Sequence, residues 1–264
     1  MYYFQWTVIE LRKADSDTAY LKFEREHFFL LDFYVDSVIA LREHSSKDSY
    51  ASKLAELCFH KMYVSFEVYL SDLFVALVNI DPSQCQRSLH ASALRSMEAG
   101  VPEWLKERIS FKTEKHIKLD DVRHLLDATQ ANITFKSVKD LKAKAKKWLS
   151  KDLAKPFLSL RPEDEALFQA AIAMRNFVAH ESTRARIAMN EALRDLGNYE
   201  DHADLKISSN DVRAVGAYLK STTLYGPRLI SFIIKLGDLA VLLNPDVRKI
   251  RKSRARSLAD GTER

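Results

Sequence analysis

Arg175, Asn176 and His180 are the residues of this chain whose types and spacing best suit chemistry. Histidine titrates near neutrality and can take up or release a proton. Arginine carries a permanent charge on a planar fork that matches a phosphate. An asparagine beside it can orient either partner. All three lie in Pro162–Ser182, a segment that reads as a helix. With side chains at 100° steps, Leu167, Ala171, Met174 and Val178 fall within about 60° of one another and form a core face. Phe168, Ile172 and Ala179 form a second apolar strip. Gln169, Asn176 and His180 align within about 40° on the far side, and Arg175 sits at the border of the two apolar strips. A helix apolar nearly all round is normally buried. Burying an arginine, an amide and an imidazole is costly unless each finds a partner. An interface or cleft where these groups face one another and a charged ligand meets that cost.

Other chemistries find little purchase. The six glycines form neither GxxxxGK[ST] nor GxGxxG, which excludes P-loop and Rossmann phosphate binding. Cys58 and His60 lack a second ligand pair at zinc spacing. Asp120, Asp121 and His124 share a helix face and could meet a metal, but they read first as a helix start followed by an exposed histidine. No GxSxG nucleophile setting occurs. No cofactor or metal is expected.

Arg175-Asn176-Phe177-Val178-Ala179-His180 resembles the Rx4–6H motif of the HEPN superfamily (higher eukaryotes and prokaryotes nucleotide-binding), in which asparagine often follows the arginine. It is the only arginine–histidine pair at this spacing in the chain. Ser65-Phe66-Glu67-Val68-Tyr69-Leu70 is similar to a glutamate-aromatic-leucine stretch on the second helix of toxin- and defence-type members, although a lone helical glutamate is commonly surface or structural. The resemblance covers 17–79, 162–196 and 210–243. It implies an all-α, HEPN-like bundle and a metal-independent endoribonuclease, a toxin or abortive-infection effector against phage. Such an enzyme leaves 2′,3′-cyclic phosphate ends at a site shared across a homodimer. Arg175 would stabilise the charged transition state, His180 would move the proton, and Asn176 would orient the phosphate or His180. RNA is the implied partner, with an antitoxin or defence-system protein restraining the enzyme. The alternative is a non-catalytic HEPN-like subunit for RNA binding or assembly. Some members carry a tyrosine two residues after the histidine, modified by a nucleotidyltransferase antitoxin. Ser182 stands there, which weakens that pairing.

The elements that must position these groups read as helices. Asp17–His44 repeats Leu31, Tyr34, Val35, Val38 and Leu41, and Phe28, Phe29, Leu30 and Phe33 broaden the stripe, so more than one face is expected to be covered. Asp48 or Ser49 can cap a second helix reaching Asn79, with Asp81-Pro82 ending it. From Pro82 to Pro156 apolar residues thin out, and short helices are expected at 83–99, 102–109, 120–128 and 137–149. This region reads as an insertion (about 82–156) within a single domain, 1–244. Pro162 and the acidic residues after it favour a helix start, with a further helix over 183–196. Residues 197–209 read as a loop, Asn210 or Asp211 as the cap of a helix to Thr222, and Gly226–Leu243 as the last helix.

The chain has 264 residues, 47% of them hydrophobic and 29% charged, enough for a sizeable core. Few glycines and prolines argue against turn-rich β folds. Of the net charge of +5, the last 20 residues supply +4, so the body is nearly neutral and 245–264 is a basic, solvated tail. A second basic run, Lys136 to Lys155, permits electrostatic RNA binding, though such a run is also an ordinary solvated face. Two cysteines make no disulfide framework and suit a reducing compartment. Residues 1–10 do not read as a signal peptide. Neither Phe28–Leu41 nor Leu229–Leu243 is an uninterrupted membrane span. A soluble cytoplasmic protein without membrane partners is expected.

Overall fold

The computed structural model describes residues 16–44, 48–97, 117–126, 133–224 and 226–244, with isolated positions between 102 and 112. The basic tail and about half of the expected 102–109 helix lie outside the described residues. The rest is all-α apart from one two-residue pairing. The helices are α1 (Ser16–His44), α2 (Asp48–Ile80), α3 (Ser83–Met97), α4 (Leu119–Leu126), α5 (Val138–Trp148), α6 (Lys151–Leu158), α7 (Pro162–His180), α8 (Thr183–Leu196), α9 (Val215–Lys220) and α10 (Arg228–Leu243).

Helices α1, α2, α7 and α10 form a bundle. Both α1 and α7 pack against α2 and α10, which places α1 and α7 at opposite corners. Phe66 of α2 meets Phe168 of α7 edge-on at 5.6 Å, and Phe59 meets Phe232 of α10 at 5.6 Å. Aromatic pairs of this geometry add about 0.5–1.5 kcal/mol beyond their burial. By length and composition α2 is apolar enough to cross a membrane, which the sequence reading overlooked. Its apolar stretch is nevertheless 67% buried inside this fold. Segments α3–α6 extend the same core, since Phe74 of α2 contacts Phe135, Trp148 and Phe157.

Several expectations are corrected. The core face of α1 is Tyr20, Phe23, His27, Leu30 and Tyr34. Phe28, Phe29, Phe33 and Val35 are exposed, so the described residues cover only one face. Of the second apolar strip of α7, Phe168 and Ile172 are buried in the bundle and only Ala179 is exposed. Asn210 and Asp211 cap no helix. Asn190 of α8 accepts the Val212 N–H at 2.7 Å and donates to the Val212 carbonyl at 3.1 Å, which satisfies that backbone outside a helix. Helix α9 therefore starts only at Val215. The 197–209 stretch contains a 3-10 turn, Glu200–Leu205. Gly226–Pro227 pairs antiparallel with Thr222–Thr223 instead of opening the last helix.

Two close packings have measurable consequences. Gly216 of α9 lies so near α2 that a Cβ would stand 2.0 Å from the Ser52 carbonyl oxygen, a backbone atom that cannot swing away. Gly216→Ala is expected to cost about 3 kcal/mol, read as a lower urea midpoint at unchanged slope. His202 is 5% exposed and bonds Glu163 O through Nε2 at 3.1 Å, while its Nδ1 has no partner. Burial, then the Lys235 charge, pushes its pKa below the ordinary 6.5. His27 is also lowered, chiefly by burial. As pH falls below 6.5 the unfolded chain therefore binds protons before the folded one, and stability present at neutrality is lost toward each lowered pKa. Melting temperature should drop between neutral pH and about 5, with a shallower slope in His202→Gln.

Candidate functional site

Helix α7 begins with Pro162 at a first-turn position, followed by Glu163, Asp164 and Glu165, acids that suit the positive helix end. From Ala166 to Met174 every residue but the half-buried Gln169 is buried, in a helix that packs on α2 and α10. From Arg175 onward the helix leaves the core: residues 175–178 are half-buried, and Ala179 and His180 are exposed. The polar residues therefore begin where the apolar cover ends.

Arg175 turns toward α2. Its Nη2 donates to Glu67 Oε2 at 3.2 Å, and its Nη1 donates to Asn176 Oδ1 at 3.1 Å. The Arg175 side chain is 29% exposed and that of Glu67 15%. Arg175 Nε is buried without a partner. Burial pushes the Glu67 carboxyl above the usual carboxylate range, with the Arg175 charge and hydrogen bond opposing that shift. Tyr63, one turn before Glu67 on α2, is 1% exposed, and burial followed by the Glu67 charge raises its phenol. The guanidinium is thus anchored by two acceptors, and its remaining terminal N–H donors, on a partly exposed group, are free for an anion.

His180 is the last residue of α7. Glu181 adopts a left-handed conformation (φ 47°) and its N–H reaches Phe177 O at 2.8 Å, closing the helix. Ser182 then caps α8, its hydroxyl accepting the Ala185 N–H at 3.2 Å. This tight corner presents His180 to solvent at the tip. Across from it, α2 runs antiparallel, with Lys53 paired to Glu56 and close enough to Glu181 to feel its charge. Arg175 and His180 diverge within one chain, Arg175 inward to α2 and His180 outward. Asn176 joins Arg175, not His180.

The sequence placed Arg175, Asn176 and His180 on one helix end. It placed Glu67 in the stretch that resembles the second HEPN helix and weighed it against a surface or structural role, and the structure brings it to Arg175 from 108 residues away. Tyr63 was missed. Its signal was the four-residue spacing to Glu67, which puts both on one face of α2. Cys58 is a buried free thiol with its pKa pushed up to about 11 by burial. Among the described residues, no group of three or more His, Cys, Asp or Glu side chains could hold a metal ion. A cleft of about 370 Å³ between α7, the 3-10 turn and α10 has its cations tied internally, Arg161 to Glu163, Asp164 and Asp201, and Lys235 to Asp204. In the basic run Lys142 pairs with Glu165 and Lys144 with Asp140, while Lys136, Lys139, Lys146, Lys147, Lys151 and Lys155 are exposed.

No protein family, curated protein or solved structure matches the chain.

Removing the acceptor from α2 should show how much the anchor matters. Glu67→Ala leaves a half-buried guanidinium short of its partner and is expected to cost about 1–2 kcal/mol in urea unfolding. Glu67→Gln keeps an oxygen acceptor and should recover most of that loss.

Proposed function

We propose that the protein is a metal-independent endoribonuclease of HEPN type, acting as a toxin or anti-phage abortive-infection effector. The observation that carries the reading is the end of α7, where Arg175 is held by Glu67 and Asn176 while His180 stands exposed at the tip. The all-α bundle, with the motif late in a long helix packed on α2, agrees with the arrangement the resemblance implies.

The proposed reaction transfers a phosphoryl group within the RNA strand. The 2′-oxygen attacks the adjacent phosphorus, its proton leaves to a base, and the bond to the 5′-oxygen breaks as that oxygen gains a proton. The products are a 2′,3′-cyclic phosphate and a 5′-hydroxyl. His180 is the group for one of these proton transfers. Arg175 meets the charge that develops on the non-bridging oxygens through its remaining terminal N–H groups. Asn176 and Glu67 are positioning residues that fix the guanidinium. Because Arg175 and His180 diverge on one helix, the reading includes a second copy whose own pair faces the same phosphate. The exposed lysines of α5 and α6 offer a further contact for the RNA backbone. Ser182 serves as the cap of α8, so the tyrosine target of a nucleotidyltransferase antitoxin has no counterpart here. The half-buried Arg175–Glu67 pair also suits the rival reading, a non-catalytic subunit for RNA binding or assembly in which Arg175 is structural.

RNA cleavage in EDTA with analysis of the ends separates the two. The expected result is 2′,3′-cyclic phosphate ends from the wild type and a loss of at least about 100-fold in His180→Ala and Arg175→Ala, with unchanged circular dichroism. Expression of the wild type, and not of His180→Ala, should arrest a bacterial host. Equal cleavage by wild type and both variants removes the catalytic assignment.

A further inference from the structure

The outward face of α1 carries apolar side chains that the described chain does not cover. Leu21 is 56% exposed, Phe28 56%, Val35 39% and Ile39 51%. Leu21, Phe28 and Val35 recur at seven residues, and Leu31 and Val38 repeat at the same interval between them, with Glu24, held by the Tyr20 hydroxyl at 2.8 Å, at the remaining position. Two interleaved seven-residue series are the pattern of a helix that pairs with another helix. The seam from Leu21 to Val38 is about 26 Å long. It borders a groove between α1 and α10 of about 310 Å³, whose lining includes Phe23, His27, Leu31, Ile234 and Gly237. Ile234 on the α10 side is 48% exposed.

We propose that this face binds the same face of a second copy, with the two α1 helices antiparallel about a two-fold axis. An isologous contact needs one self-complementary strip. Antiparallel pairing sets Leu21 opposite the partner copy's Val38 and Phe28 opposite its Leu31. The same register brings Arg25 beside Asp32 of the other copy, twice by symmetry. Both residues are exposed, and neither has an ion pair among the described residues. A single pattern thus supplies shape, length and charge complementarity. The surface stands at the opposite corner of the bundle from α7, so it is independent of the ribonuclease reading and leaves the α7 tips free for RNA or a further copy.

Sedimentation equilibrium of the full chain at micromolar concentration tests the pairing. A dimer is expected, and Phe28→Asp should weaken it at least about tenfold. Arg25→Asp and Asp32→Arg should each weaken it, and the two together should restore it. Phe28, Arg25 and Asp32 are exposed, so circular dichroism should be unchanged throughout. An oxidised mixture of Arg25→Cys and Asp32→Cys chains should cross-link, whereas either chain alone should not, with Cys58 and Cys85 buried and silent. A monomer overturns the proposal, as does a dimer indifferent to Phe28→Asp and the charge exchange. A chain that dimerises only after residues 1–15 are deleted also overturns it, by assigning the face to that segment.

Discussion

Everything in this fold is arranged around the burial of α2. From Tyr69 to Asn79 every residue except Asp72 is buried, so the helix must be covered on almost all sides. One helix cannot cover another that far, and the chain supplies α1, α7 and α10 around the middle of α2 with α5 and α6 at its C-terminal end. The polar atoms in the covered stretch then have to be satisfied by whatever packs there. Tyr69 donates to Ala240 O of α10 at 2.8 Å. Ser71 accepts the Ile133 N–H at 3.0 Å, and Asn79 donates to Ile117 O at 2.8 Å. Glu67 accepts from Arg175 of α7. Each of these four side chains therefore ties down a different segment, and hydrogen bonding adds specificity to a contact whose energy is mainly apolar burial.

The candidate site follows from this constraint. Because α7 is buried through Met174 and emerges only in its last turns, its polar residues fall at the edge of the core. There a carboxylate from α2 can meet the arginine without full loss of solvent. A fully buried pair would carry a larger desolvation cost, and a fully exposed one would hold the guanidinium loosely. The intermediate position fixes the direction of Arg175 and keeps part of it open. The corner at Glu181 and Ser182 ends the helix sharply, so His180 is held at a defined tip and not within a longer helix.

The bundle also determines which apolar surface is left for others. Of the second strip of α7, Phe168 and Ile172 are buried in the bundle and only Ala179, near the helix end, stays exposed. Among the described elements the long helix α1 packs mainly on α2 and α10, and its far side stays uncovered by them. Apolar periodicity shows that a helix has two faces to hide. Which face the chain hides itself depends on the number and placement of its neighbours.

By itself the sequence determined the all-α class, the two long N-terminal helices, the helix that opens at Pro162 and the placing of Arg175, Asn176 and His180 near its end. These rest on local physics: apolar spacing at 3.6 residues, proline at a helix start, and helix-breaking residues between elements. Tertiary structure alone decided the rest. The 210–214 stretch stays out of helix because Asn190 holds Val212, and Gly226–Pro227 joins a short pairing because Thr222–Thr223 lies beside it. Glu67 became the anchor of Arg175 because α2 and α7 run antiparallel in contact. The core face of α1 moved to Tyr20, Phe23, His27, Leu30 and Tyr34 because α2 and α10 lie on that side. Each of these depends on a contact between residues far apart in the chain, and no local pattern carries the identity of a distant partner.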